Sequence, residues 1–181
     1  MGDLRLLIAV ATASTFALIA PPAHAQSRER WDICVRDYWA QQGHAEPVLG
    51  ISAPEAETLI GNIASGIGLR SDTIVIIPCS RINRAYAYYS GGEIEGVRSG
   101  EYMFYNEQWV REVVGQDRVQ AIALFGHELG HLLNRDFLQP RANLPRHRLE
   151  TDADEFAGCA VATSSGDWGG VEDLFSRLRG E

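Results

Sequence analysis

The sequence predicts a small α+β domain in which a short mixed or antiparallel sheet packs on helices, and two observations carry that prediction. Short runs of β-branched and aromatic residues fall between residues 73 and 105, whereas the second half of the chain places apolar residues at helical spacing. Strands gathered early and helices gathered late make an α+β arrangement, not alternating β-α-β units. At 181 residues the chain has room for one domain of ordinary size.

The first 25 residues read as a signal peptide. Arg5 precedes an uncharged, mostly apolar run from Leu6 to Ala20, Pro21 and Pro22 break any helix, and Ala23-His24-Ala25 has the small-x-small pattern of a cleavage site. Residues 26–52 read as an N-terminal extension holding a short helix from Trp31 to Gln42, before a main domain over 53–181, and the stretch from Gln26 to Pro54 is long enough to cover a cleft in it. Ser52 is the expected cap of the next helix, with Glu55 as its capping-box partner and Ala56, Leu59, Ile60, Ile63 and Ile67 on one face. The run Thr73 to Ile77, closed by Pro78, reads as a buried strand. Ala85–Tyr89 reads as a second strand, turned by Gly91-Gly92, and Glu101–Tyr105 as a third with alternating faces.

Helices follow. Asn106 is the expected cap of a helix reaching Val114, and Asp117 of a longer one reaching Leu133. An Arg- and Pro-rich loop over 135–146 leads to a helix from Arg148 to Ala162. A final amphipathic segment spans Val171 to Leu178. No apolar run after the signal segment is long enough to span a bilayer.

Charge narrows the function classes. The formal charge is −8 and every one of the 16 basic residues is Arg, so the basic stripe of a nucleic-acid partner is missing. Three cysteines exclude a disulfide-dense scaffold and leave no Cys-x-x-Cys pair for a structural metal. In an oxidising compartment they allow one disulfide in any of three pairings. Cys34–Cys79 is favoured, because Cys159 sits among small apolar residues of a helix, where a buried free thiol is expected.

One motif carries chemistry: His127-Glu128-Leu129-Gly130-His131 inside the long helix. Two histidines four apart share a helical face, so both imidazoles reach one ion, and zinc takes imidazole nitrogen readily. Glu128 is placed as a general base toward the attacking water. A third ligand is expected from Glu150, brought back by an antiparallel return of the next helix, and Asp154 lies one turn further on the same face. There Asp154 reaches the second nitrogen of a ligating histidine and fixes its tautomer. Asp152 and Glu155 fall on other faces and read as solvated acids. Tyr105, Arg146 and His147 are candidate oxyanion or substrate contacts. His44 reads as surface. The third histidine of a metzincin has no counterpart, since Asn134 and Phe137 occupy the positions three and six beyond His131.

Residues 121–163, through the stretches AIALFGHELGHLL and LETDADEFAGCAVA, resemble the core of the gluzincin zinc metallopeptidases, most closely the HtpX-like M48 peptidase family. The resemblance implies a zincin-like domain over 53–181, Zn2+ held by His127, His131 and Glu150, Glu128 as base and Asp154 as the partner that orients a ligating histidine. Arg84-Ala85-Tyr86-Ala87 resembles, more weakly, that family's Asn-Ala-x-Ala segment on the strand facing substrate. The membrane helices of classical members are missing, so the chain resembles an exported, minimal form.

The expected reaction is hydrolysis of peptide bonds in a protein or peptide substrate. An edge strand at the cleft rim, 101–105 or 85–89, would hold its backbone by strand addition. Two other readings remain open at this stage. One is a zinc-stabilised binding or accessory protein with little turnover, against which the intact Glu128 argues. The other is an amide hydrolase acting on cell-wall material.

Overall fold

The computed structural model describes residues 31, 33–38, 53–68, 73–92, 97–164 and 168–180. The signal segment, the Ser52 cap and His44 lie outside them. Among these residues, three strands and five helices follow N-terminal helical residues 31 and 33–38. They are α1 (Ala53–Gly66), β1 (Ile74–Pro78), β2 (Ala85–Ser90), β3 (Gly100–Tyr105), α2 (Glu107–Val114), α3 (Arg118–Asn134), α4 (Arg146–Thr163) and α5 (Gly169–Gly180), with a short 3-10 turn at Arg141–Asn143. The fold is α+β. No helix among the described residues is long and apolar enough to cross a membrane.

Local chemistry explains the helix starts. The Asn106 side chain accepts from Trp109 N–H at 2.9 Å, and Asp117 accepts from Val119 N–H at 2.8 Å, each satisfying an otherwise orphaned donor of a first turn. Asn106 also donates to the Ile82 carbonyl at 2.7 Å, tying the start of α2 to the loop before β2.

The sheet is mixed, in the order β1-β3-β2. β1 runs parallel to β3, with Ile76 opposite Met103, and β2 runs antiparallel to it, with Ala87 opposite Met103. The strand expected to alternate, 101–105, is therefore central. Its residues from Tyr102 to Tyr105 are all buried, because both faces of the sheet are covered. It cannot serve as a cleft-rim edge. β2 can.

Each face of the sheet meets its own core. Ala85, Ala87, Met103 and Tyr105 face α1 and α3, packing with Ile60, Leu124, Phe125 and Leu129. Tyr88, Tyr102 and Phe104 face the other way, toward the N-terminal helical segment. Trp31 stacks on Phe104 with ring centroids 6.1 Å apart and sits 4.5 Å from Tyr88. This part of the extension is thus core on the sheet face opposite α3, not a cover over the cleft. A Cys34–Cys79 disulfide staples it to the end of β1. Closing a loop of 45 residues removes denatured-chain entropy worth about 4 kcal/mol in the chain-entropy account. The double variant Cys34→Ser, Cys79→Ser should lose about that much in urea unfolding. Cys159 is free but exposed, not buried as expected. Ala153, Ala157 and Ala160 form the packed face of α4, and residue 159 is turned away from it.

α3 and α4 pack antiparallel at very close range because small residues line the contact. A Cβ on Gly126 would meet the Ala160 Cβ at 2.9 Å, and one on Gly130 would meet the Ala153 Cα at 3.0 Å. Those contacts descend along one helix as they ascend the other, which defines the antiparallel return. The close approach brings the α4 carboxylates within reach of the α3 imidazoles.

Candidate metal centre

His127 and His131 project from one face of α3, and Glu150 from the second turn of α4. The two Nε2 atoms lie 3.2 Å apart. Glu150 Oε2 lies 3.4 Å from His127 Nε2 and 3.9 Å from His131 Nε2. Donors bound at zinc–ligand lengths in a tetrahedron lie ~3.3 Å from one another, so this triangle fits one ion. It is the one group of three or more His, Cys, Asp or Glu residues able to hold a metal among the described residues.

The protonation pattern makes the same point. His127 Nδ1 faces Asp154 Oδ1 at 3.0 Å, and His131 Nδ1 faces Asp136 Oδ2 at 2.8 Å. A carboxylate at Nδ1 places the proton there, which leaves each Nε2 a bare lone pair. Two lone pairs and a carboxylate oxygen then converge with no hydrogen among them. Such a cluster is repulsive without a cation. The donor set therefore fits a divalent metal.

Glu150 is held as an anion. Arg146 Nε donates to Oε1 at 3.0 Å, and this cationic neighbour favours the charged carboxylate.

Supports behind the ligands come from three elements. Asp154 Oδ2 pairs with Arg179 of α5, whose guanidinium lies over the Phe175 ring, and that ring sits 5.7 Å from His127. Asp136, only 5% exposed, accepts from Arg141 Nε at 2.7 Å through its other oxygen. Arg141 then pairs with Asp152, whose carboxyl it holds below the usual range. Asp152 is thus an anchor for the 135–145 loop and not the solvated acid expected. Glu155 is exposed, as expected.

Sequence reasoning missed Asp136, Arg141, Arg179 and Phe175. A signal existed for Asp136 alone, an acid just past the end of a helix carrying two histidines. Because histidine-orienting carboxylates are commonly worth 10–100-fold in metal affinity, Asp136→Ala should weaken zinc binding by about that factor in chelator competition.

The Glu128 side chain reaches the sheet. Its Oε2 accepts the Ala87 N–H at 2.8 Å. The Arg84 carbonyl accepts from Asn106 N–H at 3.0 Å, so even-numbered positions of β2 pair inward and Ala85, Ala87 and Tyr89 turn their backbone groups to the open edge. Glu128, the residue after His127 on α3, thus reaches an edge strand.

The remaining candidates separate. Tyr105 is 0% exposed, packed edge-on against Phe125, and burial drives its hydroxyl pKa upward, so it is a core residue and not an oxyanion or substrate contact. Arg146 is committed to Glu150. His147 is exposed one turn before Glu150, outside the ligand cluster. No family model, no curated protein and no solved structure matches this chain.

Proposed function

We propose that this chain is an exported zinc-dependent peptidase with a zincin-like domain, hydrolysing peptide bonds with Glu128 as general base. The observation that carries the reading is the convergence of three potential ligand atoms from His127, His131 and Glu150, next in sequence to a carboxylate that reaches an edge strand. A purely structural metal site takes four protein ligands, whereas three plus an adjacent base is the pattern of hydrolytic sites.

Zinc supplies a Lewis acid that acidifies water and polarises a carbonyl. The chain's own residues do the rest. Glu128 takes the proton of the attacking water and returns it to the leaving amine. The Ala87 N–H holds the carboxylate in place for both transfers. The outward backbone groups of Ala85 and Tyr89, with the Ala87 carbonyl, pair with an extended peptide. With Arg146 engaged by Glu150, His147 is the side chain left to meet the developing oxyanion. The Cys34–Cys79 disulfide supports export to an oxidising compartment, periplasmic or extracellular.

The test is cleavage of an unfolded protein and a peptide library by the purified chain loaded with zinc. Cleavage should stop with chelator and return with added zinc. A zinc-loaded protein that cleaves nothing would refute the assignment.

A further inference from the structure

Just beyond the site lies a cavity of about 140 Å³ lined by Tyr89, Glu101, Leu132, Arg135, Phe137 and Leu138. Its place is defined by two periodicities. Tyr89 is two residues along β2 from Ala87, and Leu132 is one helical turn along α3 from Glu128. β2 and α3 thus run side by side past the general base and open into this cavity. A peptide added to the edge of β2 presents every second side chain to the same face. The residue opposite Tyr89 points its side chain there.

The walls define the occupant. A cavity of ~150 Å³ holds a benzene, so this one holds a single Leu- to Phe-sized group and is far too small for a drug-sized ligand. Arg135 and Glu101 contribute opposite charges, so neither an acidic nor a basic side chain gains from both. Tyr89, Leu132, Phe137 and Leu138 then decide the preference. Phe137 stands at the rim with 39% of its surface exposed, an apolar side chain without full cover.

Arg135 supplies a second, independent observation. It is the C-cap of α3 in the left-handed region, φ 55° and ψ 44°, the only non-glycine at positive φ among the described residues. Glycine takes that conformation freely and is common at helix ends, whereas other residues take it at a cost. A side chain kept there against that cost forms a wall of the cavity.

We infer that this cavity is the subsite that selects the substrate. It accepts one compact apolar side chain, of Leu, Met or Phe size, two residues to the amino-terminal side of the residue facing Ala87. The polarity follows from antiparallel addition to β2, the more stable pairing. The inference deepens the peptidase reading and rests on it.

The test uses capped ten-residue Ala/Gly peptides, each with one Leu at a successive position, and an all-Ala/Gly control. Binding is measured by fluorescence anisotropy on the full chain carrying Glu128→Gln, and cleavage by mass spectrometry on the zinc-loaded wild type. Leu peptides should bind about tenfold tighter than the control. The cut should fall on the carboxyl side of Leu and move with it. Leu138→Trp, which fills the cavity, should erase the Leu preference, and Phe137→Ala, which widens it, should shift preference toward Phe. Cleavage indifferent to Leu, or a preference untouched by both cavity variants, would overturn the subsite and leave the peptidase reading standing. Cuts on the amino side of Leu would overturn the stated polarity. Selective binding without cleavage would keep the subsite and defeat the peptidase reading, and neither binding nor cleavage would defeat both.

Discussion

Glu128→Gln should keep zinc bound at the wild-type level and lower kcat/KM on peptides by about 10³-fold, within the span that a positioned acid–base group contributes. The expectation rests on where the side chain sits. Glutamine keeps the shape and an amide oxygen, so the 2.8 Å hydrogen bond from Ala87 N–H survives and the packing of α3 on β2 is unchanged. The three donors belong to other residues, so the metal is retained. What disappears is a basic oxygen able to take a proton. Zinc content by atomic spectroscopy, thermal unfolding and steady-state kinetics separate these effects. Equal turnover by wild type and variant would remove Glu128 from the chemistry.

The parts legible in the sequence were those written in short-range patterns. Asn106 and Asp117 act as caps through side-chain bonds two or three residues away, a distance that a sequence reading spans. The four-residue spacing of His127 and His131, and of Glu150 and Asp154, is helical geometry and nothing more. Nonlocal order was harder. That Glu101–Tyr105 is the central strand follows from which strands pair, and its apolar pattern alone reads equally well as an edge. Tyr105, a polar aromatic next to a cap, looked available for chemistry and turned out to be sealed under α3. Arg179 reaches Asp154 from 25 residues away, on a helix with no marker of its own. Charged residues on a helix surface have many possible partners, and only tertiary packing chooses among them. Asp152 shows this directly: its face of α4 meets the 135–145 loop, so Arg141 claims it.

Glu150→Ala should weaken zinc binding by two to three orders of magnitude, more than the loss expected at Asp136. The distinction is between a ligand and a group that orients one. Asp136 acts through the His131 ring and its removal leaves all three donors present. Removing Glu150 deletes the one anionic donor and leaves two neutral nitrogens 3.2 Å apart. It also frees Arg146, whose guanidinium now faces the site without its carboxylate. The Arg146–Glu150 pair is largely exposed and is itself worth little, so the loss is that of a direct ligand, which exceeds the roughly 10–100-fold of a group that only orients one. Glu150→Gln should fall between, because a neutral amide oxygen still fits the triangle. If zinc affinity in Glu150→Ala equals that of wild type while His127→Ala abolishes binding, the ion is held elsewhere on α3. Glu150 is then an ordinary acid of a helix's opening turns, and the antiparallel return of α4 serves packing alone.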